Sequence, residues 1–92
     1  MNTLGSIIDV AKVDLSGRAG CSVDEISLIG AAETEFPDGA LGAPVQGEMA
    51  AMMITSGWRI VLEAAGEKFE YRADPWQLRL VGLGGVNYRV SG

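Results

Sequence analysis

Apolar residues at Leu4, Ile8, Ala11, Leu15 and Ala19 recur every three or four positions, while Asp9, Lys12, Asp14 and Ser16 fall largely elsewhere. That period predicts an amphipathic helix at the N-terminus. Ser6 is its expected N-cap, Asp14 and Arg18 stand at i,i+4, and Gly20 suits a left-handed C-terminal cap. Gly17, inside the last turn, costs about 1 kcal/mol relative to alanine, so fraying of that end is expected. Ser22-Val23-Asp24-Glu25 reads as a capped single turn. The period then drops to two: Ile26, Leu28, Gly30, Ala32, Thr34 and Phe36 alternate with Ser27, Ile29, Ala31, Glu33 and Glu35, which predicts a strand with a polar second half.

Pro37-Asp38-Gly39 must turn the chain, since proline fixes its own φ and aspartate and glycine tolerate the conformations that follow. In the stretch 45–56, the apolar run Met49 to Ile54 is too short to tell helix from strand by period. A strand entering the sheet by Met52 is expected. Trp58, Ile60, Leu62 and Ala64 share one strand face, Ala65-Gly66-Glu67 turns the chain, and Phe69 and Tyr71 share a face of the returning strand. This is a β-hairpin. Asp74-Pro75 breaks it, and Trp76, Leu78 and Leu80 alternate with Gln77, Arg79 and Val81 as a further strand. Residues 82–92 are glycine-rich and form a tail or a short extra strand at 86–90. The order, one helix and then about four strands, predicts an α+β fold in which an N-terminal amphipathic helix packs on an antiparallel sheet. The single α+β domain is expected at 1–82, with 83–92 as its glycine-rich C-terminal tail or short extra strand.

Composition narrows the functional classes. Ninety-two residues with 48% hydrophobic and 21% charged content belong to one small globular core. The net charge is -5, and the seven lysines and arginines are scattered along the sequence instead of forming a stripe, so nucleic-acid binding is disfavoured. One cysteine, Cys21, precludes an internal disulfide and leans towards a reducing compartment. No basic leader and no apolar run of membrane-spanning length is present, which sets the expectation of a cytoplasmic chain that is not in a membrane.

Two blocks carry a resemblance. Phe36, Pro37, Asp38, Leu41, Gly42 and Pro44 form an aromatic-Pro-Asp turn followed by Leu-Gly-x-Pro; Gly57, Trp58, Arg59, Ile60, Leu62, Glu63, Gly66, Tyr71 and Asp74 form a Gly-aromatic-Arg hairpin ending in aspartate. Together they are similar to a family of small, uncharacterised bacterial domains, often exported, over roughly residues 7–80. The resemblance implies the fold and no activity. Many such domains have cysteine where this chain has Ala43, and others have histidine near Arg72.

The residues supply little reaction chemistry. There is no histidine, which removes the commonest general base, every Ser-His or Cys-His pair and imidazole metal sites. Cys21 follows the helix C-terminus, where the negative end of the dipole does nothing to activate a thiol as a nucleophile, so a packing role is the better reading. Glu33 and Glu35 stand about 7 Å apart on one strand face; a solvated face outweighs a cation site, because no calcium-loop spacing accompanies them. Gly82-Leu83-Gly84-Gly85 meets no phosphate-loop pattern and reads as a linker. Core filling is the first reading for Met49, Met52, Met53, Trp58 and Trp76, with an adaptable methionine contact surface as the sharper one.

The expectation is therefore a non-catalytic domain, without cofactor or metal, acting through contact with a protein partner or with a second copy as a homodimer. Its expected contact residues are Phe36, Pro37, Asp38, Leu41, Met49, Met52 and Met53, together with an exposed strand edge. The alternative is a small-molecule or peptide-binding module whose pocket lies between helix and sheet, lined by Trp58, Tyr71 and Trp76. An acidic enzyme inhibitor, with its carboxylates clustered on one surface, is a third reading.

Overall fold

Thr3, rather than Ser6, starts the helix: its hydroxyl accepts the Ser6 N–H at 3.2 Å and its backbone is extended. In the computed structural model, which describes residues 2–92, helix α1 therefore runs Leu4–Ala19 and buries Ile7, Ala11 and Leu15 as its central line. Leu4 and Ile8 flank that line and Ala19 is exposed, so the apolar face is rotated slightly from the one the spacing predicts. Gly20 closes the helix in the left-handed conformation, and Arg18 pairs with Asp14 at 2.8 Å. Gly17 stays helical. A 3-10 turn, Val23–Glu25, follows with the Ser22/Glu25 capping box.

Five strands complete the chain: β1 Ser27–Phe36, β2 Thr55–Ala64, β3 Glu67–Asp74, β4 Gln77–Leu83 and β5 Val86–Ser91. They pair in the order β1-β2-β3-β4-β5, each antiparallel to the next. The sequence pattern predicts about four; the glycine-rich tail supplies the fifth, hydrogen-bonded to β4. Ala65 and Gly66 both take positive φ in the two-residue β2–β3 turn, the handedness that matches strand twist.

One sheet face carries Trp58, Ile60, Leu62, Ala64, Tyr71, Ala73, Leu78 and Leu80, and α1 lies against it. Tyr71 is fully buried there, its hydroxyl donating to Asp14 at 2.8 Å. Burial, and then the Asp14 carboxylate, push the phenol well above its ordinary range. Each fully enclosed large side chain in this core contributes roughly 1.5–3 kcal/mol.

Two expectations fail here. The segment 37–54 contains no strand; it crosses the opposite sheet face as an irregular layer, and β2 begins only at Thr55. Trp76 is no core residue: with Pro75 it forms the β3–β4 turn and is 69% exposed. Asp74 explains that turn, since its buried carboxylate accepts the Trp76 and Gln77 N–H groups at 2.8 and 3.1 Å and stops the chain from extending. Among the described residues no helix is long and apolar enough to cross a membrane.

Candidate functional site

The loop motif, Phe36 to Pro44, and Arg59 of the hairpin motif lie on the sheet face away from the helix, whereas Trp58, Ile60, Leu62 and Tyr71 of the hairpin motif face α1. Strand register places Arg59 opposite Arg72, Arg72 opposite Arg79 and Arg79 opposite Arg89, a row of four arginines across four strands. The scatter of basic residues along the sequence concealed this stripe, because cross-strand neighbours lie far apart in the chain. Unscreened, such a row would be destabilising. Two carboxylates neutralise it: Glu70 binds Arg59 at 3.0 Å and Arg72 at 2.7 Å, while Glu48 binds Arg79 through both oxygens at 2.6 Å and lies 3.8 Å from Arg89.

The row also holds the irregular layer in place. Arg72 donates to the Leu41 carbonyl at 2.9 Å, Arg79 to the Ala43 carbonyl at 3.1 Å, and Gln77 to the Gly39 carbonyl at 2.9 Å. Asp38 shapes the loop by accepting the Ala40 and Gly42 N–H groups at 2.9 and 3.0 Å. Leu41 is fully buried with φ 60°, and Gly42 follows at φ 66°. A side chain on Gly42 would meet the Arg72 guanidinium at 2.9 Å, so glycine is required by both its backbone and its neighbour. Phe36, also buried, lies beneath Arg72 at 5.5 Å from the ring centre. Gly57 packs so closely on the Ala73 carbonyl and the Phe36 ring that a Cβ has no room.

Arg79 is 3% exposed, yet no buried side-chain N or O among the described residues lacks a partner. The Arg79 hydrogen bonds hold Glu48 down to about 2, against the opposing effect of burial and with help from the Val45 N–H and Arg89. Burial raises Glu70, but Arg72 and Arg59 outweigh it and its pKa is lowered. Arg72 and Arg79 thus hold the loop directly, and Glu70 and Glu48 balance the charge of the row.

Of the expected contact residues, Phe36 and Leu41 are core and Asp38 is a half-buried turn cap; Pro37 is exposed. Met49, Met52 and Met53 are 99%, 90% and 62% exposed, and Ile54 beside them is exposed too. Core filling, the first reading for these methionines, does not hold. Glu48 is anchored at mid-sheet and Thr55 pairs with Phe36, so residues 49–54 span between two fixed points with nothing above them. Gly39 links this segment to the Trp76 turn, donating to the Ala51 carbonyl at 2.8 Å while its own carbonyl accepts from Gln77.

Trp58, Tyr71 and Trp76 do not line a common pocket: Tyr71 is enclosed, Trp76 stands on the turn, and Trp58 is half-buried. Trp58 instead borders an open groove of about 550 Å³ with Glu33, Thr34, Glu35, Ser56, Gly57 and Pro75. A smaller depression of about 220 Å³ lies between the helix C-terminus and the β2–β3 turn. No group of His, Cys, Asp and Glu residues among those described is arranged to hold a metal ion. Cys21 is half-buried.

A family model described as a domain of unknown function (DUF8738) matches residues 8–80. No curated protein matches the chain, and no solved structure does. The matched span starts inside α1 and ends in β4, so it takes in the helix, the arginine-latched loop and the first four strands.

Proposed function

This chain belongs to the DUF8738 family, a domain of unknown function, and from that premise we propose that it is a non-catalytic domain acting through protein–protein contact. The observation that carries this reading is the methionine segment. Met49, Met52, Met53 and Ile54 stand in solvent on a loop whose two ends are fixed by Arg79 and by the β1–β2 ladder. Adaptable thioether side chains on a rigid frame are suited to a partner surface. Trp76, on the neighbouring turn, adds the kind of aromatic anchor that contributes most at interfaces. The lack of histidine and the use of the polar residues as loop anchors both favour contact over catalysis.

Replacing Met49, Met52 and Met53 together by glutamine tests the reading. The partner is another protein or a second copy of the chain, and quantitative affinity capture from the source cell, with light scattering, follows both. The expected result is a specific complex formed by the native chain and lost in the folded variant. Identical complexes from both proteins, or turnover of ester, phosphate or peptide substrates by the pure chain, would reject it.

A further inference from the structure

The two edges of the sheet are built differently. β5 is six residues long, its pairing with β4 is interrupted by two register shifts, and Arg89 folds back onto the Gly92 carbonyl. Those are the devices that blunt an edge. β1 is ten residues long, contains no lysine, arginine or proline, and has a single register shift, between Leu28 and Gly30, that leaves Gly30 to Phe36 in unbroken register with β2. It has only β2 as a neighbour, and from Ser27 to Glu33 every residue is exposed. The core beneath α1 is drawn from β2, β3 and β4, so the helix leaves β1 uncovered. One side of β1 is therefore a row of backbone donors and acceptors open to a further strand.

The chemistry beside that edge identifies what fits. Register sets Glu33 opposite Trp58 and Glu35 opposite Ser56, so both carboxylates and the indole border the same groove. Neither glutamate has an ion-pair partner among the described residues, whereas all five arginines are paired. A strand laid along β1 places alternate side chains over this groove. Lysine or arginine at two such positions would meet Glu33 and Glu35, and one of them could lie over Trp58 as a cation–π pair.

We propose that β1 is the docking edge for an extended basic segment of a partner protein, which adds as a sixth antiparallel or parallel strand with lysine or arginine at alternate positions over Glu33, Glu35 and Trp58. This rests on the protein-contact reading above and names the partner's chemistry. A second copy is the poorer occupant. Its β1 brings no base to the groove, pairings centred on residues 33 or 34 oppose glutamate to glutamate, and each chain carries a net charge of -5. That same charge draws a basic segment in.

The test is a titration of the whole isotope-labelled chain with two synthetic ten-residue peptides, one alternating lysine with valine and threonine, the other with glutamate in place of every lysine. Amide shifts read the position. The lysine peptide is expected to shift amides of residues 27–36 and the Trp58 indole, at least tenfold more tightly than the glutamate peptide and less tightly as salt rises. The exposed double variant Glu33→Lys/Glu35→Lys, checked for folding by the same spectra, should reverse the preference. Equal binding of both peptides, no shift in β1, or a dimer paired through β1 would each overturn the proposal. Shifts confined to residues 49–54 would overturn it while leaving the protein-contact reading standing; loss of both would remove that reading as well.

Discussion

Gly57 shows how tightly a single position is constrained. Its Cα lies where the Ala73 carbonyl and the Phe36 ring close in, so a methyl group would collide with backbone that the β2–β3 ladder holds fixed. Gly57→Ala is expected to cost about 1–3 kcal/mol or slightly more, the range for overpacking a well-filled site. A lowered urea midpoint with unchanged slope would record this; a midpoint equal to that of the native chain would show that the ladder yields. Arg79 is the corresponding charged position. Arg79→Met leaves Glu48 without its main partner and should destabilise by about 3–5 kcal/mol, whereas adding Glu48→Leu should recover much of the loss, because an apolar pair of similar volume avoids the desolvation of both charges. Thermal melts of the single and double variants separate a needed charge pair from a needed volume.

The irregular layer has a stability that depends on pH. Glu48 titrates at about 2 in the folded chain against 4.5 when free, and Glu70 is shifted in the same direction. Between those values the unfolded chain binds a proton that the folded chain does not, so the stabilisation is complete above about 4.5 and is lost as pH falls towards about 2. Urea midpoints measured from about pH 6 to about pH 3 should fall more steeply for the native chain than for Glu48→Gln, which has no carboxylate to protonate. Equal slopes would mean that acid acts elsewhere. Hydrogen-exchange protection at Gly42 and Val45, corrected for the intrinsic rate at each pH, should fall over the same range as the loop loosens with its anchor.

For the molecule as a whole, one face is apolar and covered by a helix, the other is charged and covered by a loop, and one edge and one loop segment remain uncovered. Met52 and Met53 touch little within the chain. Changing both to glutamine should alter stability by no more than about 0.5 kcal/mol, while weakening the complex that the protein-contact proposal calls for. A large drop in melting temperature would instead mean that the methionines support the fold, contrary to their exposure.

The helix, the capping turn, the β2–β3 hairpin and the antiparallel sheet under the helix were legible in the sequence, because each rests on period or turn chemistry a few residues apart. Local period said nothing of β1's bulge near Ile29, which shifts the register between Leu28 and Gly30. The burial expected from alternation fails along β1 because the helix does not reach this edge strand, and all of it but Thr34 and Phe36 is exposed. The arginine row was invisible for a different reason: Arg59, Arg72, Arg79 and Arg89 are brought side by side only when four strands pair. Sequence alone determined that this chain would make a helix-covered antiparallel sheet, since hydrophobic period and turn chemistry act locally. Tertiary structure decided that Phe36 and Leu41 would be interior and the methionines exterior, because burial there depends on which carbonyls and carboxylates the distant arginines reach.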